Sequence, residues 1–337
     1  MTYNISVLIP VYNVEQYIEK CAESLFKNTI ANECEFIFTN DGSTDSSIQK
    51  LNTVIEKFPE LKNNIVVLQH EKNMGLGATR NTGFDNAKGK YIICTDSDDW
   101  VEPDYLEKLF ETAEKDDLDL VGCDAFFENE KNGKTEIVHY PLNKDPKQCL
   151  IDIYDDKVGD YLWIKLIKRD FLISNNIRWA DDVSIHEDML LDTKILSKNP
   201  KIGYIDKPLY HYLIRTGSYM HTLYTVQKEE LIFRAVQYMK NYLFENNMDY
   251  AIDAFMGRCY KMKRACISKG TIKTQKKHLS LNKELNKYAN LRNTKLIHYI
   301  IILISNKFPR IAFILLFFVS FIKCIVYRIR LKDYFCK

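Results

Sequence analysis

Short apolar runs and helically spaced apolar positions alternate through the first 125 residues. Residues 5–10 (ISVLIP) are continuous and β-branched, the pattern of a parallel strand buried on both faces. Over 14–26, Val14, Tyr17, Ile18, Cys21, Ala22 and Leu25 then recur at helical intervals. Residues 35–39 predict a second strand, Thr44 or Asp45 a cap for a helix running to about Phe58, and Pro59 its stop. A third strand at 65–69 leads through a glycine-containing loop to a helix over 77–87, followed by a fourth strand at 91–95 and a helix start near Pro103. Strand and helix in this order predict an α/β fold with an open, mostly parallel sheet flanked by helices.

Beyond Phe127 the pattern is irregular. The polar stretch 128–135 suits a hairpin or a lid, helical patterning returns at 150–173 and after His186, and 224–246 reads as a longer amphipathic helix. Two runs near the end, 296–304 (LIHYIIILI) and 311–322 (IAFILLFFVSFI), are almost wholly apolar. Each is shorter than the roughly 20 residues a simple span needs. Extending the second to Tyr327 includes Lys323, and Arg328, Arg330 and Lys332 follow, as suits headgroup contact. Membrane attachment is the expectation, in the interface or through it; a buried helical hairpin is the alternative.

Charge sharpens that picture. The chain's formal +2 hides an asymmetry: residues 257–337 carry 19 Lys and Arg against Glu284 and Asp333, a formal +17 that leaves −15 for the residues before them. A surface this basic seeks phosphate. Its cations are interleaved with aliphatic runs rather than stacking aromatics, which argues against a nucleic-acid partner. With 46% hydrophobic and 27% charged residues over 337 positions, the composition excludes a disordered tail, a collagen-like repeat and a multi-span transporter. Nine Cys without a CxxC pair, and a Met1 that leads straight into a strand-like run with no secretory signal, predict reduced thiols and no zinc site.

Three strand-end motifs carry candidate chemistry. Asp96, Ser97, Asp98 and Asp99 follow the fourth strand, where an α/β sheet collects ligands. Such crowded acids repel one another unless a cation lies between them, and a hard divalent ion carrying phosphate oxygens meets that need; a solvated acidic loop is the plainer reading. Residues 40–45 (NDGSTD) follow the second strand, with Gly42 suited to a tight turn and Asp41 able to accept from a base or ribose. They also suit a simple turn and N-cap. Residues 73–81 (NMGLGATRN) hold two glycines, but Arg80 takes the third position of a dinucleotide fingerprint and the motif follows the third strand, so a nicotinamide site is a poor fit. An Arg and backbone N–H groups at a helix start suit a pyrophosphate.

In this order the motifs SVLIPVYNVEQYIEKCAESL, FTNDGSTDSS and NMGLGATRNTGFDNAKGKYIICTDSDDW resemble the family 2 glycosyltransferases of the GT-A fold, of the bacterial surface-polysaccharide type. The resemblance covers residues 5 to about 125 and extends more thinly to about 222. It implies that Asp41 reads the nucleotide base in a pocket lined by Pro10 and Val11, and that Asp96 lies near the ribose or sugar. It further implies that Asp98 is the direct ligand of a divalent metal, Mn or Mg, and that Arg80 belongs to the donor site. His186, Glu187, Asp188 and Met189 resemble the family's Glu-Asp motif, which makes Asp188 the general base and Glu187 its neighbour or an acceptor ligand; acids starting a helix are the plainer reading. Residues 210–221 resemble the family's aromatic, Arg and Ser stretch, with Arg215 expected at the diphosphate and His221, or less readily His211, completing the metal shell.

The expectation is an inverting, metal-dependent transferase moving a sugar from a nucleotide-diphosphate donor, expected to be UDP-linked, to a hydroxyl of a lipid-linked or growing glycan. Its place would be the cytoplasmic face of the cell membrane, peripheral or monotopic. The expected divisions are 1–125 for the donor half, 126–225 for the acceptor half, 226–295 for a basic helical region and 296–337 for the membrane-associating tail. A polyprenyl-phosphate glycosyltransferase and a catalytically inactive nucleotide-binding module are the alternatives.

Overall fold

The first strand, β1 (Ile5–Val11), is buried along nearly its whole length and lies between β2 (Cys34–Asn40) and β4 (Tyr91–Cys94), parallel to both, with β3 (Ile65–Gln69) beyond β2. In the computed structural model the described residues are 3–215, 226–269, 277, 283–288, and 301, 304, 305, 310–312, 314, 315 and 319. They divide into two units, Met1–Thr216 and Gly217–Lys337.

Strand register decides where the loops emerge. Val11 pairs with Asn40, Asn40 with Gln69, and Leu8 with Cys94, so the chain leaves β1, β2, β3 and β4 at one common edge. Helices α1 (Ile18–Phe26) and α2 (Ser47–Glu56) pack on each other, and α3 (Leu76–Asn86) lies against β1 and β2. The predicted helix over 14–26 starts late, at Ile18, because the chain before it is tied to the loop that follows β2. The Val14 N–H donates to Ser47 Oγ at 2.8 Å, the Glu15 N–H to Asp45 Oδ2 at 3.0 Å, and Asn13 holds a φ of 51°.

After β5 (Trp100–Val101) and α4 (Tyr105–Lys115), the sheet continues through β6 (Leu120–Asn129), β7 (Thr135–Val138), β8 (Lys165–Lys168) and β9 (Ile202–Ile214). Among the described residues its order is β3-β2-β1-β4-β8-β6-β9-β5, with β7 paired to β6. The polar stretch at 128–135 is the β6–β7 hairpin, and the expected division at 125/126 falls inside β6. The pattern at 150–173 is not one helix: α5 (Pro146–Tyr154) ends early, β8 inserts antiparallel between β4 and β6, and α6 (Arg169–Ser174) follows. Leu162, Trp163, Ile164 and Leu166 are all buried, and so short an apolar run fits strand and helix equally. Strand β9 escaped the sequence pattern because Asp206, Lys207 and Pro208 interrupt it, where a bulge shifts its register against β6.

Helix α7 (Glu187–Leu196) is positioned by the segment before it, which lies against α3. A Cβ on Gly77 would stand 2.2 Å from the Ala180 carbonyl oxygen, so the approach requires glycine. Gly77→Ala is expected to destabilise the first unit by about 1–3 kcal/mol, read as a lower urea midpoint by tryptophan fluorescence.

The second unit contains α8 (Val226–Glu245) and α9 (Asp249–Lys269), joined through Asn247 at φ 55°. Ile232, Ala235, Met239 and Leu243 on α8, and Ala251 and Phe255 on α9, are buried. Among the described residues no helix is long and apolar enough to cross a membrane, and most of the 296–337 tail lies outside them.

Candidate active site

The loops leaving β1, β2 and β4 carry the predicted donor residues to one edge of the sheet. Val11 is buried and its carbonyl accepts the Asp41 N–H at 2.8 Å, while Pro10 is half-buried beside it. Asp41 itself is buried. Its Oδ1 accepts the Met74 N–H and meets His70 Nδ1, both at 2.8 Å, and its Oδ2 accepts the Gly75 N–H at 3.0 Å. Of the roughly four lone-pair positions of a carboxylate, these partners use three. Gly42 turns the chain at φ +73°, and a Cβ there would stand 2.9 Å from the Asn73 nitrogen. The NDGSTD turn and the glycine-containing loop are thus locked together.

Arg80 is the hub. It projects from α3, is 2% exposed, and binds carboxylates from two separate motifs. Its Nη1 donates to Glu187 Oε1 at 2.9 Å and to Asp188 Oδ1, and its Nη2 donates to Asp96 Oδ1 at 3.2 Å. The guanidinium expected at a pyrophosphate therefore faces three acids of the protein instead. Glu187 and Asp188 open α7, behind His186 at φ 58°, a left-handed conformation rare outside glycine. Burial, with the Asp188 charge next, pushes Glu187 up to about 8 against the pull of Arg80. Burial likewise raises Asp96 to about 6, opposed by Arg80 and aided by Asp98 and Asp188.

Asp98 is already paired with a cation. Arg215 Nε donates to its Oδ2 at 2.7 Å, and the guanidinium lies 5.0 Å from the centre of the Tyr17 ring. Asp99, absent from the predicted site, is fully buried and accepts the Tyr210 hydroxyl and the Leu213 N–H, both at 2.8 Å; burial and the charges of Asp98 and Asp96 raise it well above the usual carboxylate range. The same hydroxyl accepts the Asp96 N–H at 3.1 Å, so β9 braces the acidic loop. The strand alternation of Tyr210, His211 and Tyr212 is the signal for this, since it sends the two tyrosines to one face and His211 to the other.

On that other face His211 is stacked between Trp100 and Phe126, with ring centres at 5.0 and 4.5 Å. Its nitrogens meet Glu102 at 2.7 Å and Glu128 at 2.9 Å, so neither is left for a metal. His221 lies outside the described residues. Asp124, His139 and Asp206, on and beside β6 and β9, form a further group with ligand atoms within 4.8 Å of one another, and it includes none of the predicted ligands. Asp124 there accepts the Tyr140 N–H at 2.8 Å and the Tyr204 hydroxyl, which makes it a hydrogen-bonded knot.

Glycosyl transferase family 2 matches residues 6–172, which run from the second residue of β1 through β8 and include the 96–99 loop. GlyG, a glycosyltransferase of Streptococcus pneumoniae, is 31% identical over 238 residues, 66% of this chain and 74% of GlyG. The chain belongs to glycosyltransferase family 2. EpsH of Bacillus subtilis is 36% identical over 219 residues, 64% of this chain; the chain spans 62% of EpsH, under two thirds of its length. The fold of this family 2 chain is also that of the Staphylococcus aureus TarS 1–349 crystal structure in complex with UDP-GlcNAc, at a TM-score of 0.64 and 20% identity over 90% of this chain and 87% of the other. The family match ends at 172 and so leaves out Glu187 and Asp188, which Arg80 joins to the matched part.

One pH effect follows from this cluster. Glu187 is raised from an ordinary 4.5 to about 8, so the folded protein binds more protons than the unfolded chain between those values. Stability then falls as pH rises through that window. In Glu187→Gln the decline in melting temperature between about pH 5 and 8 is expected to flatten, as measured by scanning fluorimetry.

Proposed function

We propose that the protein transfers a sugar from a UDP-linked donor to a hydroxyl of a glycan or lipid-linked glycan, with inversion. The observation that carries this reading is the Arg80 bridge, which brings the acids after β4 and those opening α7 into one cluster. Family membership and the likeness in fold to a protein crystallised with UDP-GlcNAc support it.

Asp96 and Asp98 are hard oxygen donors, and Asp98 already pairs with a cation in Arg215, so the residues fit Mg or Mn. Such an ion supplies charge stabilisation to the departing nucleoside diphosphate. Arg215 is then placed to meet the diphosphate on leaving Asp98. Asp188 Oδ1 is held by Arg80, while its Oδ2 accepts a long 3.3 Å bond from the Leu162 N–H, which leaves Oδ2 the oxygen for the acceptor's proton. Burial raises Glu187 to about 8, which supports its neighbour Asp188 rather than Glu187 as the base.

The test is a panel of UDP-, GDP-, TDP- and CMP-sugars with Mn or Mg. Metal-dependent nucleotide release from a UDP-sugar, absent in Asp98→Ala, supports the reading; release that is equal in Asp98→Ala or without metal contradicts it. The basic, apolar tail supports attachment at the cytoplasmic membrane face. A chain ending at Asn290 is expected to leave the membrane fraction for the soluble one, and full retention in membranes removes that role from the tail.

A further inference from the structure

A column of aromatic rings runs from the acidic loop toward the base. Tyr210, whose hydroxyl is bound to Asp99 and to the Asp96 N–H, stacks on Trp163 at 4.4 Å and 19°. Trp163 in turn stacks on Tyr161 at 4.8 Å and 19° and on Tyr212 at 5.5 Å and 7°. Phe127 closes the side of the group, 5.0 Å from Tyr212. Trp163 and Tyr210 are buried, whereas Tyr161, Tyr212 and Phe127 keep part of their surface open. The column therefore ends in part-open rings.

That end lies beside the base. The Leu162 N–H, between the two stacked residues Tyr161 and Trp163, donates to Asp188 Oδ2. On the other side of Tyr161, Asp160 is raised to about 6, by burial first and then by the Asp188 charge. Stacked aromatic faces carry negative potential, and the axial C–H bonds of a pyranose, drawn electron-poor by the ring oxygens, complement them. Binding sites for such ligands pair an apolar wall with a few fixed polar groups, which the rings and Asp160 supply.

We infer that Tyr161 and Tyr212 form a stacking subsite for a pyranose of the acceptor, with Asp160 accepting from one of its hydroxyls, so that the neighbouring hydroxyl reaches Asp188 Oδ2. This rests on the glycosyl-transfer reading and extends it: the acceptor's reactive end is a sugar ring, not a bare phosphate or a lipid hydroxyl. Both tyrosines act by positioning the acceptor.

Saturation-transfer difference NMR on the full chain tests it, with UDP and Mg present and methyl α- and β-pyranosides of glucose, galactose and N-acetylglucosamine as probes. UDP signals report an intact donor site in every sample. Expected is saturation of the C–H protons on one face of at least one pyranoside, about tenfold weaker in binding for Tyr161→Leu and Tyr212→Leu and retained in Tyr161→Phe. With UDP signals present, the absence of transfer to every pyranoside, or transfer unchanged in both leucine variants, overturns the subsite. Absent UDP signals in the unaltered protein instead overturn the donor reading beneath it.

Discussion

Replacing Arg80 with Lys is expected to leave a folded protein whose nucleotide release is slower by about 100-fold or more. The guanidinium reaches Glu187 and Asp188 through one nitrogen and Asp96 through the other. A lysine ammonium keeps the charge but lacks the planar fork, so it cannot hold acids from two loops at fixed distances. Arg80→Ala goes further: it leaves three acids crowded without a counter-charge and is expected to cost about 3–5 kcal/mol, with little folded protein recovered. Release rates for the lysine variant and urea midpoints for both check the pair. A lysine variant with unaltered release would show that the two motifs act separately.

Asp188→Asn is expected to lower transfer by about 100- to 10,000-fold, the range of a lost general base, while binding of the UDP donor stays near that of the unaltered protein. Asn keeps the shape of the side chain but cannot take a proton from the acceptor hydroxyl. The same change removes the negative neighbour that helps push Glu187 up, so the fall in stability with rising pH is expected to shrink as well. Steady-state transfer, calorimetric UDP binding and melting curves between about pH 5 and 8 read the three effects apart. Normal transfer in Asp188→Asn would remove Asp188 as the base.

Much of the first part of the sheet was legible because β1, β2 and β4 are buried on both faces. β1 and β2 are mostly apolar, their polar members Ser6, Glu35, Thr39 and Asn40 are buried with the rest, and no helical spacing competes with them. The chain's return through β8 and β9 was not legible, for two different reasons. Residues 162–168 are too short to show a period, with Lys165 buried among the apolar residues, and β9 carries Pro208 and a bulge at its centre. The motif acids were legible, but their partners were not. Asp41, Asp96, Asp98, Glu187 and Asp188 stand out as acids at element ends, yet nothing local says that Arg80 joins Asp96 to the other motif, some 107 residues from Glu187. His211 shows the converse. As an isolated histidine near an Arg it invited a metal role, and its two carboxylate partners come from β6 and from the loop after β5, which only the sheet pairing brings together.

Arg80 joins the acids after β4 to the Glu-Asp pair of α7, and the proposed chemistry depends on their acting as one site for a nucleotide-diphosphate sugar. Calorimetric titration of UDP into the full chain, with and without Mn, tests it most directly. Binding that needs Mn, is lost in Asp98→Ala and survives in Asp188→Asn is the predicted result. UDP binding of equal strength in Asp98→Ala and the unaltered protein, or no UDP binding with Mn present, would contradict it.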